Sequence, residues 1–323
     1  MIEISIAAEG VFGLTWPAWK RLVRTVEDLG FAGLYLSDHF VLPNPPDYPS
    51  LEVMLALGWA ADHTERVRLG QRVSPVSFRD PVLLARQTAA IDDLSGDRMS
   101  LGLGAGWMER EHAMFGYDLG DIPTRFARLE ESLEIITRLL RSNEPVNFEG
   151  CFYRLENAVL PPPRRPGGPP IVIGGIGPKR TLPLVARYAD NWNAGNLSPD
   201  QLAERSAMLD GLIVAAGRRP EDIIRTFNIP VVCWRTPAEL EARIGAVRRV
   251  SNEVRDMSTD QLVEWLRGWP AILGTLEEVI EQIRAYEAVG VTEIEAKWPA
   301  ADDIEGLEIL ATEVLPQVTS SSA

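Results

Sequence analysis

Residues 2–8 read IEISIAA, and residues 16–39 read WPAWKRLVRTVEDLGFAGLYLSDH. The first is a short β-branched run that fits a strand. In the second, Trp19, Leu22, Val23, Val26 and Leu29 fall on one helical face, Pro17 suits a first turn, and Gly30 stands where a helix is capped. Residues 32–38, AGLYLSD, return to strand composition. Strand, helix and strand in succession is the unit of a parallel sheet, because parallel strands need a crossover between them.

The same grammar runs on to the C-terminus. Residues 51–62 fit a helix and 67–73 (VRLGQRV) a strand. Asp80-Pro81 opens a helix to about Leu94, with Asp80 as N-cap and Pro81 in its first position. Residues 98–106 (RMSLGLGAG) read as a strand running into a glycine turn, and 124–140 as a helix. In the second half, strands fit 169–175, 190–195, 223–234 and 291–298, and helices fit 178–189, 199–216, 275–290 and 303–315. Eight strands alternating with helices predict an α/β fold, a closed (β/α)8 TIM barrel, with a doubly wound open sheet as the alternative. A minimal barrel takes about 250 residues, and the chain has 323. The excess is assigned to insertions at about 141–170, which holds PPPRRPGGPP at 161–170, and at 235–270, which follows the seventh strand on the side where a lid would lie. The predicted organisation is a single domain over 1–315 and a C-terminal tail at 316–323.

Composition removes several functions. There are 46 acidic and 32 basic residues, a formal net charge of −14, so a nonspecific grip on nucleic acid is not expected. Cys151 and Cys233 make neither a disulfide framework nor a C-x-x-C pair. His39, His63 and His112 are too scattered for a histidine metal centre, so no metal is expected. No apolar run reaches about 18 residues, and MIEISIAAEG at 1–10 has no signal-peptide pattern. A soluble, cytoplasmic protein with a small-molecule substrate and no membrane contact is the expectation.

In such a barrel the reacting residues lie at the C-terminal ends of strands and in the loops that follow. The first strand ends at Ala8-Glu9-Gly10, the second at Ser37-Asp38-His39-Phe40 and the third at Arg72-Val73-Ser74-Pro75. The fourth ends at Gly104-Ala105-Gly106-Trp107 and the fifth at Gly174-Gly175-Ile176-Gly177. The fifth continues through Pro178-Lys179-Arg180-Thr181 into a helix, which makes it a phosphate cradle of backbone N–H groups and cations. It is neither a Walker loop nor a dinucleotide fingerprint. Asp38-His39 is the acid/base candidate, against a structural histidine as the competing reading. The glycines of 102–106 admit close approach of a flat ring, and Trp107 can wall a pocket; packing at the barrel rim is the alternative. Glu109, Glu111 and His112 read as a solvated helix start. Arg125, Arg128, Glu130, Glu131 and Glu134 read as an exposed, mutually paired helix face. Trp16, Trp19 and Trp59 fit core or interface, and neither cysteine has an activating partner nearby.

These residues carry a resemblance. With FAGLYLSDHF (31–40), Asp80-Pro81 and its helix, GLGAGW (102–107), Arg125-Phe126-x-Arg128-Leu129-Glu130-Glu131, Phe148-Glu149-Gly150-x-Phe152-Tyr153, PPIVIGG (169–175) and Ala189-Asp190-x-Trp192-Asn193, the chain resembles the bacterial luciferase-like monooxygenase superfamily over roughly 1–315. It looks most like the branch that uses the deazaflavin coenzyme F420. The resemblance implies a TIM barrel seating a flavin-like ring at its C-terminal mouth. It implies a non-prolyl cis peptide after the third strand, placed here at Arg72–Val73, with Arg72, Val73 and Ser74 behind the ring and Gly104, Ala105, Gly106 and Trp107 beside it. The cofactor phosphate would rest on Gly174, Gly175, Ile176, Gly177, Lys179, Arg180 and Thr181. Asp38 and His39 would act at the ring, His39 as proton donor or charge stabiliser for hydride transfer, and Glu9, Trp107 and Glu109 would line the substrate pocket.

One departure bears on substrate. The deazaflavin-dependent sugar-phosphate dehydrogenases of this superfamily carry an acidic residue and an asparagine after the fourth strand, whereas this chain has Gly106-Trp107-Met108-Glu109, which points to a more apolar substrate. An FMN-dependent monooxygenase using reduced flavin and molecular oxygen is the alternative function, and a flavin-binding barrel without turnover is a third. Ser37-Asp38-His39 favours the deazaflavin. The resemblance also implies a homodimer through the early helices and a separate flavin or F420 reductase supplying reduced cofactor.

Overall fold

The computed structural model describes residues 1–160, 167–250, 254–298 and 300–319. Eight strands build the centre: β1 (Glu3–Ala8), β2 (Gly33–Leu36), β3 (Arg68–Gln71), β4 (Met99–Gly104), β5 (Ile171–Gly174), β6 (Asn191–Gly195), β7 (Ile224–Trp234) and β8 (Glu293–Trp298). Each pairs in parallel with the next, and β8 pairs with β1, so the sheet closes into the predicted TIM barrel rather than an open sheet. Around it lie α1 (Trp16–Asp28), α2 (Val53–Asp62), α3 (Pro81–Ser95), α4 (Glu109–Phe115), α5 (Ile122–Arg141), α6 (Thr181–Tyr188), α7 (Pro199–Ala215), α8 (Pro237–Val250), α9 (Thr259–Arg267) and α10 (Leu276–Ala288). The apolar stripe of α1 is buried, and the Trp19 indole donates to the Ala56 carbonyl at 3.0 Å. Asp80 caps α3 as its sequence predicts, accepting from Val82 N and Leu83 N at 2.9 and 3.2 Å.

The strands alternate in a way that explains both the core and the site. Ile4, Ile6, Leu34, Leu101, Ile173 and Phe227 are buried in the main hydrophobic core. The alternate positions carry polar side chains that bond to one another across the barrel. Glu295 accepts from Arg72 Nε at 2.6 Å and from Asn193 Nδ2 at 2.7 Å. Glu293 accepts from the Ser5 hydroxyl and, at 2.9 Å, from the Tyr35 hydroxyl, and the Arg72 guanidinium lies 3.6 Å from the centre of the Tyr35 ring. Buried charges persist only when paired and bonded, and here Arg72 and Glu295 supply each other. Burial, reinforced by Glu293, pushes the Tyr35 phenol far above its ordinary range.

Both insertions have structure. The first contains an antiparallel hairpin, Val146–Glu149 with Arg154–Ala158. The carboxylate of Glu131 on α5 accepts from Cys151 N and Phe152 N at 2.6 and 3.0 Å. Glu131 is therefore a latch for the hairpin, and its neighbours also reach away from α5: Arg128 pairs with Asp118 at 2.7 Å and Glu130 with Arg187. That corrects the reading of a mutually paired helix face. Part of the proline run, 161–166, lies outside the described residues. In the second insertion β7 overshoots the barrel, and Val231–Trp234 pair with a further strand, Ile272–Thr275, that the sequence did not suggest. Between them α8 and α9 enclose a small core of their own, with Ile244, Leu262, Leu266 and Leu273. This unit stands at the C-terminal end of β7.

The predicted last helix is three segments: α11 (Ile304–Ile309), a wider π turn over Leu310–Val314, and α12 (Leu315–Thr319). Val318 is buried and its carbonyl accepts from Ile2 N at 3.5 Å. Residues 316–319 thus belong to the packed body rather than to a tail, and 320–323 lie outside the described residues. Among the described residues, no helix is long and apolar enough to cross a membrane.

Candidate active site

β2 delivers Ser37, Asp38 and His39 to the C-terminal mouth. His39 Nδ1 lies 3.0 Å from Glu111 Oε1. Glu111 comes from α4, after β4, and its side chain is completely buried. Its second oxygen accepts from Phe40 N at 3.1 Å. One carboxylate therefore holds both the imidazole and the backbone beside it, and it favours the tautomer with the proton on Nδ1. The His39 ring meets Trp107 edge-on at 5.6 Å, and Trp107 is 57% exposed. Burial pulls the imidazole down, but the hydrogen bond and charge of Glu111, joined by Glu9 and Asp38, outweigh it and raise its pKa.

The sequence reading of α4 needs correction here. Glu111 and His112 are not at a solvated helix start; both are buried. Met108, Glu111 and His112 stand three and four residues apart, and an apolar Met108 at that spacing marks the face that turns inward. This is the signal from which Glu111 was legible. His112 is structural: Nδ1 lies 2.7 Å from the Met108 carbonyl and Nε2 2.7 Å from the Ser77 hydroxyl. Glu109 is the residue of this helix that is solvated, 87% exposed and 3.9 Å from Arg125. The structure does not bring it into the mouth as the substrate-pocket expectation requires. Glu9, after β1, is half-buried at the mouth.

Asp38 is tied elsewhere than its neighbour. Its carboxylate pairs with Arg79 and accepts from the Ser74 hydroxyl at 2.6 Å, and Arg79 also reaches Glu52 at 2.5 Å. Burial pushes this carboxyl up, against the pull of Arg79 and Ser74. The partner of His39 is Glu111, and Asp38 with Ser74 and Arg79 braces the loop that presents it.

The peptide bond between Arg72 and Val73 is cis, where the sequence reading placed it. Val73 then points at three glycines. A Cβ on Gly104 or on Gly174 would stand 2.9 Å from Val73 Cγ2, and one on Gly102 would stand 2.1 Å from the Gln71 carbonyl oxygen. The expectation that Gly102 and Gly104 make room for a flat ring is therefore corrected: the chain's own third-strand bulge fills that room. Ala105 packs against the core, and Gly106 turns the chain out to Trp107 with φ +81°.

The fifth strand end is open. Gly175 has φ +119°, and its N–H is committed to the Asn193 carbonyl at 3.0 Å. Thr181 N and Leu182 N both donate to the Gly177 carbonyl, at 3.0 and 3.1 Å, closing the turn over Pro178, Lys179 and Arg180. Pro178, Lys179 and Arg180 are exposed. Lys179 and Arg180 make no ion pair among the described residues, and Arg180 stands 6.0 Å from the centre of the Phe126 ring. The side-chain cations, more than the backbone, carry the positive character of this turn. Neither cysteine joins the site: Cys151 is exposed, and burial pushes the Cys233 thiol up to about 11.

A closed parallel barrel with a histidine–carboxylate pair, an exposed tryptophan and an exposed cationic turn at its C-terminal mouth has the layout of a small-molecule barrel enzyme. The luciferase-like monooxygenase family model matches residues 5–293, and the chain belongs to that family. It is 28% identical to the F420-dependent glucose-6-phosphate dehydrogenase of Amycolatopsis mediterranei, over 90% of this chain and 91% of that one. It is 26% identical to the 5,10-methylenetetrahydromethanopterin reductase of Archaeoglobus fulgidus, over 92% and 94%. Its fold superposes on an F420-dependent secondary alcohol dehydrogenase, solved with an F420-acetone adduct, with a TM-score of 0.84 at 21% identity, covering 99% of this chain and all of that one.

Proposed function

We propose that this protein is an F420-dependent oxidoreductase that moves a hydride between the deazaflavin and a small organic substrate with an apolar body. The observation that carries the proposal is the His39–Glu111 pair at the barrel mouth, beside Trp107. The full-length likeness to F420-dependent relatives supports the choice of cofactor. The residues suit a flat cofactor with an anionic side chain: Val73 occupies the floor, Trp107 stands at the rim, and Lys179 and Arg180 are exposed cations that make no ion pair among the described residues. Gly174, Gly175, Ile176, Gly177 and Thr181 shape the turn on which a phosphate would rest.

When bound, the deazaflavin supplies the carbon that gives or takes the hydride. The chain's own work is protonic and positional. Glu111 keeps the Nδ1 proton of His39, so Nε2 is the nitrogen that exchanges a proton with a substrate hydroxyl or carbonyl oxygen. Glu111 raises the pKa of the imidazole above its ordinary value, which favours its protonated, donating form. Asp38, Ser74 and Arg79 hold the loop so that this geometry is ready before the substrate arrives. A homodimer through α1 and α2, where Trp16 and Leu55 are 38% and 66% exposed, and a separate F420 reductase in the same compartment complete the proposal.

The family's monooxygenase description favours a second reading, FMN with molecular oxygen. Titrating the purified full-length protein with F420 and with FMN, and following each cofactor's absorbance, separates them. Saturable F420 binding is the expected result. Tight FMN binding without F420 binding overturns the first reading.

A further inference from the structure

Inside the barrel the charged side chains of β8 stand in rows, and the top row differs from the two below it. Ile294, Ala296 and Trp298 face outward into the hydrophobic core, so strand alternation puts Glu293, Glu295 and Lys297 on the inner face. In the lowest row Glu293 accepts from the Tyr35 hydroxyl at 2.9 Å and meets Arg68 at 3.2 Å. In the middle row Glu295 holds Arg72 Nε at 2.6 Å and Asn193 Nδ2 at 2.7 Å. In the top row Lys297, in register with Ala7 on β1 and Pro230 on β7, is half-buried and makes no hydrogen bond or ion pair among the described residues. A charge drawn partly out of water is costly without a partner, and neither flanking side chain has a polar atom to offer one.

Lys297 also stands near the acid/base pair. Glu9 N donates to the Trp298 carbonyl at 3.4 Å, and Ser37 N donates to the Ala8 carbonyl at 3.0 Å, so the ends of β8, β1 and β2 lie side by side. Neighbouring strands are about 4.8 Å apart, which places the end of β8 about 10 Å from the strand end that presents His39. A small molecule can bridge that span. The cationic turn of Lys179 and Arg180 follows β5, three strands further round the barrel from β8, so the two positive regions serve different groups. The lower cations, Arg68 and Arg72, are already met by Glu293 and Glu295. One ammonium charge is therefore on offer, and it balances a carboxylate rather than a phosphate dianion. As a compact point charge on a flexible stem, it needs no bidentate match.

We propose that Lys297 is a specificity-determining residue that binds a carboxylate on the substrate, so that the substrate class is an alcohol or carbonyl compound carrying a carboxylate on an apolar body. This assignment rests on the mouth being the substrate site, and not on which cofactor fills it. His39 then meets the reacting oxygen while Lys297 holds the far end, and the orientation of the substrate is set by two fixed points. A neutral analogue leaves Lys297 without a partner and is disfavoured for that reason.

The test uses full-length protein without added cofactor, carrying Lys179→Ala and Arg180→Ala to remove the cationic turn. Hexanoate and its neutral counterpart hexanamide are titrated separately at constant ionic strength. Affinity is read by calorimetry, and the place of binding by movement of the His39 ring signals in NMR. Hexanoate is expected to bind about tenfold more tightly than hexanamide and to move the His39 signals. Adding Lys297→Met, which keeps the stem and loses the charge, should abolish that preference, and Lys297→Arg should retain it. Should Lys297→Met fail to fold, Lys297→Gln carries the test. Equal affinity for the two probes, a preference that survives loss of the charge, or binding that leaves the His39 signals unmoved overturns the proposal. The cofactor titration is read separately: carboxylate binding without F420 binding overturns only the cofactor reading, and the reverse overturns only the role of Lys297.

Discussion

Two strand ends carry glycine-rich turns that look alike as sequence, Gly102-Leu103-Gly104-Ala105-Gly106 after β4 and Gly174-Gly175-Ile176-Gly177 after β5, and they do opposite things. At the first, Gly102 and Gly104 are occupied by the chain itself: the Gln71 backbone and the Val73 side chain sit where side chains would otherwise stand. At the second, beyond Gly174, the neighbour is Thr181 and then solvent. A glycine announces that something comes close or that the backbone must turn; it does not say whether the visitor is the protein or a ligand. One end is a closed support that fixes the bulge, and the other is an open end able to receive.

The sharpest way to break that contrast is Gly102→Ala. The new Cβ would meet Gln71 O at 2.1 Å and Gln71 C at 3.0 Å, both backbone atoms. No rotamer relieves the clash, so the strands must part. A loss of about 3 kcal/mol is expected in urea unfolding. Gly104→Ala meets only the Val73 side chain at 2.9 Å and should cost about half as much. A Gly102→Ala protein as stable as the parent would mean that the closed end is not closed.

Just past the closed end stands Glu111, and Glu111→Gln tests what the support holds up. The neutral amide keeps the size and loses the charge. In the parent, the His39 pKa lies above its ordinary value of 6.5, so the proton is held more tightly in the folded state. The stability this contributes is fully present below about pH 6.5 and is lost as pH rises through the raised folded value. In Glu111→Gln, burial acts unopposed by that charge. The His39 ring signals in NMR should titrate at lower pH, and the pH-dependent gain in stability should shrink. Turnover of any confirmed substrate should fall about a hundredfold. An unchanged histidine titration would separate His39 from Glu111 and reduce their contact to packing.

The difference between the two ends also marks where sequence reading succeeds. All eight barrel strands are legible because each buries an apolar face against helices, as Ile4-x-Ile6 and Leu101-x-Leu103 show. The strand Ile272–Thr275 is not: it follows Trp269-Pro270, carries Gly274, and pairs outside the barrel with the overshoot of β7. The hairpin at 146–158 escapes notice because it is held by the Glu131 carboxylate and shows little apolar alternation. At the site, Asp38-His39 can be read from its strand end, and the cis bond at Arg72–Val73 from the family resemblance. The pairing of His39 with a residue 72 positions away, and of Asp38 with Arg79, follows from closing the barrel and has only the spacing of Met108 and Glu111 as a local trace.

The open end yields smaller effects on stability and larger ones on binding. Lys179→Ala with Arg180→Ala removes two exposed cations that make no ion pair among the described residues. Stability should stay within about 0.5 kcal/mol of the parent. Affinity for the phosphate-bearing cofactor should fall about tenfold at low salt and less at high salt, because exposed charges are screened. Equal binding by the double variant would place the anion elsewhere than on this turn.

The smallest expected effect is the counterpart of the first. In Gly177→Ala the added Cβ would stand 3.1 Å from Thr181 Oγ1, and its next neighbours are at 3.8 and 3.9 Å. The hydroxyl can rotate away. Gly177 also does not need a left-handed backbone, unlike Gly175 at φ +119°, and the Gly177 carbonyl that accepts from Thr181 N and Leu182 N is kept. Less than about 1 kcal/mol should be lost in the same urea experiment. Glycine to alanine is chemically the same change at 102 and at 177, so the two free energies compare the ends directly. A Gly177→Ala protein that loses as much as Gly102→Ala would show that the second turn is packed from within, and the cradle would then have no room for a ligand.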